Sequence, residues 1–133
     1  MTNEKKTLTV TLPIYYKKMF KNKPYKLFLV GLNWYRNCHY VFSNKVKQVY
    51  HELTHEAVGD HKFGVIKLHY KVYVRRTVVD GPNVRSVIEK FFLDGLVKCG
   101  AIKNDTVEYV IGDSSEYTTD RSNPRIEITI MEQ

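Results

Sequence analysis

Three aspartates and one lysine lie in or beside one predicted helix, and their side chains are those that phosphodiester hydrolysis requires. Asp80 precedes the helix, Lys90 and Asp94 lie within it, and Asp105 follows its end. Magnesium in proteins takes one or two carboxylates and keeps water and phosphate oxygens as its other ligands. A nearby lysine can stabilise the negative charge of the transition state. Each residue also has an ordinary structural role, because aspartates cap helices and Lys90 with Asp94 forms an i, i+4 pair.

The helix that would position these residues is predicted from Val84 to Cys99. Its apolar residues recur at helical spacing, as on a helix face packed against a core: Val84, Val87, Ile88, Phe91, Phe92, Gly95 and Cys99. Asn83 is expected to be the N-cap, and Gly100 is expected to be the left-handed residue after the helix. Asn83, Lys90 and Asp94 share one flank of the apolar stripe. Asn83 and Asp94 are expected to support the site.

The length of this helix separates Asp80 from Asp105. From Val84 to Cys99 the helix rises ~24 Å, and the five residues after Gly100 span at most ~17 Å. One chain could therefore hardly hold one metal with both carboxylates. Two chains related by a two-fold axis, with their helices antiparallel, would bring Asp80 of one beside Asp105 of the other. This predicts a homodimer, with Leu93 outside the apolar stripe as a helix contact.

The remaining pattern predicts one α+β domain over residues 1–133, a two-layer sandwich in which a mixed sheet carries two main helices on one face. Ser43 is expected to cap a helix that ends at Gly59 and Asp60. The predicted elements are a strand at Thr7–Pro13, a short apolar run at Lys26–Leu32, a helix at Asn44–Ala57, and strands at Val65–Val74, Thr106–Ile111 and Arg125–Met131. A polar loop at Ser114–Pro124 would separate the last two strands.

The charge of the chain favours a polyanionic partner. The formal net charge is +7 and the pI is about 9.4. A basic, aromatic segment at Tyr15–Lys26 is predicted to be a loop, which is either a phosphate-contacting arm or a solvated surface loop. Tyr35 or Tyr40 would stack on unpaired bases. The candidate phosphate contacts are Lys17, Lys18, Lys21, Lys23, Arg36, Arg75 and Arg76.

A second motif offers a different chemistry. His51-Glu52-Leu53-Thr54-His55 matches the H-E-x-x-H pattern, in which two imidazoles bind zinc and the glutamate acts as general base. Glu56 follows the second histidine directly, where a buried zinc-binding helix favours an uncharged residue. His61 or His69 can be proposed as a third ligand, although neither lies at a usual spacing. A zinc hydrolase is therefore the remote alternative, and a polar helix face is the simpler interpretation.

Composition excludes several other classes. No apolar run approaches the ~20 residues that span a bilayer, so no membrane partner is expected. Met1–Thr7 is polar and lacks the apolar core of a signal peptide. Cys38 and Cys99 match no metal or redox spacing, and no small-molecule cofactor is indicated. A reducing cytoplasm is the expected location.

The segment from Asp80 to Asp105 resembles the signature of the RusA-type Holliday junction resolvases, phage and bacterial enzymes that cut four-way DNA junctions. That signature has an aspartate-rich turn with asparagine, an apolar helix of the form K-x-x-x-D-x-L, a glycine and an acidic pair. The matching residues are Asp80, Asn83, Lys90, Asp94, Leu96, Gly100, Asn104 and Asp105. The N-terminal half fits more loosely, through a strand that ends in proline and the Asn33–Arg36 segment before the Ser43 helix.

The resemblance implies a RusA-like fold and a Mg²⁺-dependent endonuclease, with Mn²⁺ as a possible substitute, acting as a homodimer on branched DNA in recombination, repair or phage DNA processing. It implies that Asp80 and Asp105 hold the metal and that Lys90 stabilises the phosphate charge. The sequence departs from the pattern at Pro82, where many members have a second aspartate, and at Asn104, where the acidic pair often begins. The spacing from turn to lysine is also one helical turn longer. A structure-selective DNA-binding protein that does not cleave is therefore the alternative.

Overall fold

A four-stranded sheet and two long helices form the main layers of the protein, whose computed structural model describes residues 5–133. The prediction that Met1–Thr7 is not a signal peptide falls partly outside this range. The strands are β1 (Thr7–Pro13), β2 (Tyr15–Phe20), β3 (Lys23–Leu29), β4 (Ile66–Val74), β5 (Val110–Thr119) and β6 (Arg125–Glu132). The helices are α1 (Leu32–Asn37), α2 (Tyr40–Val58) and α3 (Gly81–Lys98). None of them is long and apolar enough to cross a bilayer.

The main sheet is mixed, in the order β1-β6-β4-β5. β4 pairs antiparallel with β6 and parallel with β5, so α3 forms the crossover that parallel neighbours require. Side chains alternate along β4, where Ile66, Leu68, Tyr70, Val72 and Val74 are buried and the residues between them are not. α2 packs beside α3 over this buried face. The predicted α+β architecture is therefore confirmed.

The two long helices approach closely at Gly95. A β-carbon at this position would lie 3.1 Å from the Cβ atom of Thr54, which is itself fully buried on α2. The Thr54 hydroxyl donates to the Tyr50 carbonyl, so its polar atom is satisfied inside its own helix. The small residue and the satisfied hydroxyl together allow α2 to lie against α3.

Two predicted helix starts were wrong. α2 begins earlier than Asn44, and its N-cap is His39, whose ring nitrogen Nδ1 accepts from the Val41 N–H. The Ser43 hydroxyl instead donates to the Tyr40 carbonyl within the first turn. The N-cap of α3 is Asp80 and not Asn83. Gly100 has φ of 81°, as predicted for the residue that ends this helix.

The end of the chain also differs from the prediction. Residues 106–109 form a turn, and the strand predicted at Thr106–Ile111 begins at Val110 and runs to Thr119. The first half of the expected Ser114–Pro124 loop is therefore β-strand. β5 is an edge strand paired only with β4 among the described residues, so little of it is buried and its sequence lacks apolar alternation.

Residues Tyr15–Lys26 are not a loop. They form most of a β-hairpin, β2 and β3, in which Phe20 pairs with Lys23 across the turn at Lys21 and Asn22. Asn22 has φ of 61°, a left-handed conformation that asparagine tolerates better than most residues. The lysines of this segment are consequently displayed on a paired two-stranded ribbon.

Candidate nuclease site at the two ends of helix α3

Asp80 has a structural role at the start of α3. One carboxylate oxygen accepts from the Asn83 backbone N–H at 3.3 Å, and the other accepts from the Asn83 side-chain amide at 2.6 Å. A carboxylate here satisfies an orphan donor and faces the positive end of the helix dipole. Asn83 therefore orients Asp80, although each carboxylate oxygen keeps a lone pair that is free to bind a cation.

The recess beside Asp80 has a volume of about 470 Å³ and lies between the start of α3 and the ends of β4 and β5. Gly81 lies directly against the Tyr117 ring, with which a β-carbon at this position would clash. The backbone of α3 thus approaches β5 more closely than any larger residue would allow. Asp80 is held at the rim of this recess and remains exposed.

A second recess, of about 450 Å³, adjoins the first and shares Thr77 and Thr119 with it. This second recess is lined by Arg75, Arg76 and Arg121. We call it the arginine recess. All three arginines are exposed, and none makes an ion pair with a described carboxylate. Guanidinium groups bind phosphate oxygens in a fixed fork geometry. The arrangement offers a phosphate site next to a carboxylate.

Asp105 lies at the other end of α3, in a smaller recess of about 270 Å³. The residues that line it are Lys47, His51, Asp94, Val97, Lys98 and Asp105. Burial and the nearby Lys98 lower the pKa of His51 from its ordinary value, while Asp94 acts in the opposite direction. His51 is 8% exposed and makes no hydrogen bond to any described residue. This recess combines two carboxylates with a buried imidazole and two lysines.

Lys90 lies between the two ends, on the exposed side of α3. Its ammonium group lies 5.3 Å from the centre of the Tyr35 ring. The same ring packs edge-on against Phe91 at 5.9 Å, which fixes it to α3 and leaves it half-buried. Tyr35 thus supports Lys90 and presents less surface for stacking than Tyr40, which is 69% exposed. Arg36 is exposed on α1.

The described chain brings some of the predicted residues together and keeps others apart. Asp94 and Asp105 share a recess, whereas Asp80 lines another. Within residues 5–133, no group of three His, Cys, Asp or Glu side chains is arranged to hold a metal ion. One chain thus offers a carboxylate at one end of α3 and two at the other, which is a partial ligand set for Mg²⁺ at each end.

Sequence reasoning missed Arg121, Lys47, Lys98 and His51 as members of these recesses. The signal for Arg121 was weak, because it lies in the turn before β6 and reaches Arg75 only through strand pairing. His51 was noted only for the H-E-x-x-H pattern, and the structure places His51, Glu52 and His55 along one shallow cavity with Cys99. Glu52 and His55 are exposed, and neither His61 nor His69 lines that cavity.

Comparison of the chain with protein-family models and with curated proteins found no match.

Proposed function

We propose that the protein is a Mg²⁺-dependent, structure-selective endodeoxyribonuclease of RusA type that resolves four-way DNA junctions. One observation carries the proposal: the arginine recess and the Asp80 recess adjoin at the N-terminal end of α3. A phosphate held by the arginines would lie beside a carboxylate able to bind a divalent cation. Resemblance to the RusA signature between Asp80 and Asp105 supplies the choice of substrate.

A second chain would complete the site. α3 is ~27 Å long for its 18 residues, so Asp80 and Asp105 cannot meet within one chain. A continuous strip of α3 is left exposed or half-buried between the two ends: Pro82, Ser86, Lys90, Leu93 and Val97. Leu93 also packs on the core, so it contributes only part of its surface to a contact. Two antiparallel α3 strips would place Asp80 of each chain near Asp105 of the other.

In this arrangement the residues have distinct tasks. Mg²⁺, held by Asp80 and Asp105, would activate water and neutralise charge on the scissile phosphate. The arginine recess binds a phosphate and fixes the register of the strand. Lys90 lies about 15 Å along α3 from Asp80, so it would contact a neighbouring phosphate of the bound strand and not the scissile one. Asn83 holds the Asp80 carboxylate in one orientation through its amide. Each of the two sites, which the two-fold axis relates, would cut one of the two symmetric strands.

The test is incubation of a labelled synthetic four-way junction with and without Mg²⁺. Wild type should yield nicked duplexes, and Asp80→Asn or Asp105→Asn should reduce the rate by at least about 100-fold, the order expected on removing a charged catalytic group. Asp60→Asn, at an exposed carboxylate after α2, is the matched control and should cleave normally. Mixing the two inactive variants should restore nicking, since about a quarter of composite sites are then intact. No restored nicking, or a monomeric protein, would refute the composite site.

The alternative is a structure-selective DNA-binding protein without cleavage. One observation favours it: both carboxylate oxygens of Asp80 already accept hydrogen bonds from Asn83, so helix capping alone accounts for this residue. Under this alternative the junction shifts in a gel but remains uncut with Mg²⁺ or Mn²⁺. Asp80→Asn would then lower thermal stability and leave DNA affinity unchanged.

A further inference from the structure

An aromatic pocket lies between the hairpin and helix α1, away from the two carboxylate recesses. It has a volume of about 570 Å³, within the roughly 300–1,000 Å³ typical of small-molecule sites. Phe28, Trp34 and Phe42 supply its rings, and Leu27 and Leu29 supply aliphatic surface. We propose that this aromatic pocket binds one unstacked base of a DNA strand whose phosphates lie along the hairpin lysines.

The rings are arranged to receive a flat, apolar face. Phe42 is central, with the Phe28 ring centre 5.5 Å away at 64° and the Trp34 ring centre 5.9 Å away at 78°. All three side chains are half-buried, so each ring is fixed by packing while part of it remains open to the cavity. Stacking on such rings is independent of base identity, because every base has an aromatic face.

Two asparagines add a polar edge to the same pocket. The Asn37 amide nitrogen donates to the Asn33 carbonyl at 2.8 Å and to the Asn33 side-chain oxygen at 3.1 Å. Within residues 5–133 this leaves the Asn33 amide NH₂ and the Asn37 amide oxygen without a hydrogen-bond partner. They supply one donor and one acceptor, which are the groups that the edge of a base can pair with.

The charge around the pocket suits a phosphodiester strand. The Lys18 ammonium group lies 4.2 Å from the centre of the Phe42 ring, so the pocket itself carries a cation. Lys17, Lys21, Lys23 and Lys26 are exposed on the same hairpin. Residues 5–51 contain no aspartate or glutamate that could neutralise them. A ligand with an aromatic ring and a linked row of negative charges fits this surface, and single-stranded DNA has both.

Trp34 is the only tryptophan in the sequence, so its fluorescence reports on this pocket. The probe is a short dye-labelled single-stranded oligonucleotide, compared with a strand of equal length made wholly of abasic sites. The base-containing strand should quench Trp34 and bind about tenfold or more tightly than the abasic strand by anisotropy, the loss expected for one base–aromatic stack. Equal quenching or equal affinity for the two strands would overturn the proposal. So would equal quenching by a free mononucleotide at the same concentration.

Two pairs of variants test whether the preference for the base-containing strand depends on the aromatic pocket. Phe28→Leu should remove the preference for the base-containing strand, whereas Phe20→Leu, on the same hairpin outside the pocket, should keep it. Asn37→Ala should weaken the preference, and Asn44→Ala, at an exposed asparagine of α2, should not. Circular dichroism verifies folding of each variant. If Phe28→Leu fails to fold, Asn37→Ala and the abasic strand still decide the result.

This inference rests on the proposed function only in taking DNA as the ligand, and the two fail separately. A protein that cuts four-way junctions but shows no base-dependent quenching lacks the base site and remains a nuclease. A protein that shows base-dependent quenching but leaves junctions uncut has the base site and is no nuclease. Failure to bind either single strand by anisotropy overturns the base site alone, whereas failure to bind or cut the four-way junction overturns the nuclease.

Discussion

The parts of the chain before and after the start of residue 52 differ in their acidic residues and in their ion pairs. Residues 5–51, which we call the basic region, contain ten lysines and arginines and no acidic residue. Residues 52–133, the mixed-charge region, contain eleven basic and thirteen acidic residues. All ion pairs between described residues fall in the mixed-charge region. Charges that neutralise one another within the fold stabilise it, whereas unopposed charges are available to an external partner.

In the basic region, aromatic rings take the place that carboxylates have elsewhere. Lys17 lies 4.1 Å from the Tyr25 ring centre, and Lys26 lies 5.1 Å from that of Phe28. A ring positions an ammonium group without cancelling its charge. In the mixed-charge region, Arg85 forms ion pairs with both Glu89 and Asp113 at 2.9 Å. Its charge is therefore neutralised within the fold, where it links α3 to β5. The arginines of the arginine recess differ from Arg85 and Arg125 of the same region, because none of the three makes an ion pair with a described carboxylate.

The largest effect is expected from removing hairpin cations. The triple variant Lys17→Gln, Lys21→Gln, Lys23→Gln should weaken junction binding by about tenfold or more and reduce the slope of log K against log salt by about 2.7, since each lost phosphate contact contributes roughly 0.9. Fluorescence anisotropy at several salt concentrations measures both quantities.

The matched control removes three exposed lysines of the mixed-charge region, Lys62, Lys67 and Lys103. It has the same change in net charge but lies outside the hairpin and the recesses. Equal losses for the two triple variants would mean that only net charge matters, and the comparison between the two regions would lose its functional meaning.

The next effect separates a free arginine from a paired one. Arg121→Gln removes one member of the arginine recess and should lower junction cleavage by about tenfold or more at unchanged stability, since a phosphate contact made in the transition state is lost. Arg125→Gln, four residues away, should lower the stability of the fold and leave the cleavage rate unchanged. Arg125 forms ion pairs with Asp120 and Glu127 and covers the Tyr73 ring. Cleavage rates and urea unfolding of both variants test this, and a cleavage loss confined to Arg125→Gln would contradict it.

The sequence predicted the features that depend on residues close together in the chain, and it missed features that depend on distant ones. The alternating apolar residues of β4 and the apolar face of α3 are local patterns that only packing on a core explains. Both predictions were correct. The hairpin was missed because its faces are largely exposed and Asn22 alone marked its turn. β5 was misplaced because an edge strand needs no apolar alternation. The arginine recess could not be predicted, since Arg121 reaches Arg75 only through the pairing of β5 with β4.

A moderate effect on stability is expected from the ion-pair network of α3. Arg85→Gln should reduce the free energy of unfolding by about 1–3 kcal/mol, because the half-buried Glu89 would lose its cation. The exposed Asp113 adds little to this loss. Burial already raises the pKa of Glu89, and Arg85 opposes that shift. Arg36→Gln, at an exposed arginine of the basic region, should change stability by less than about 0.5 kcal/mol. Equal changes in urea denaturation would show that ion pairs stabilise neither region.

The smallest effect is a difference in acid sensitivity below about pH 4, to which the basic region contributes no carboxylate. The hydrogen bond from Arg125 holds the pKa of Asp120 below its ordinary value, with further hydrogen bonds from Ser122 and Asn123. A carboxyl whose pKa is lower in the folded than in the unfolded state stabilises the fold above its unfolded pKa, near 3.9 for aspartate. That stability is lost as the pH falls from about 4 through the lowered pKa.

Asp120→Asn should therefore make the urea midpoint fall less steeply with pH below about 4, and should lower the midpoint slightly at neutral pH. Asp60→Asn, whose carboxylate makes no ion pair with a described residue, is the control and should follow the wild-type profile. An unchanged acid limb in Asp120→Asn would show that Arg125 does not hold this carboxylate in solution. The difference in charge pairing between the two regions would then concern DNA binding alone and not the stability of the fold.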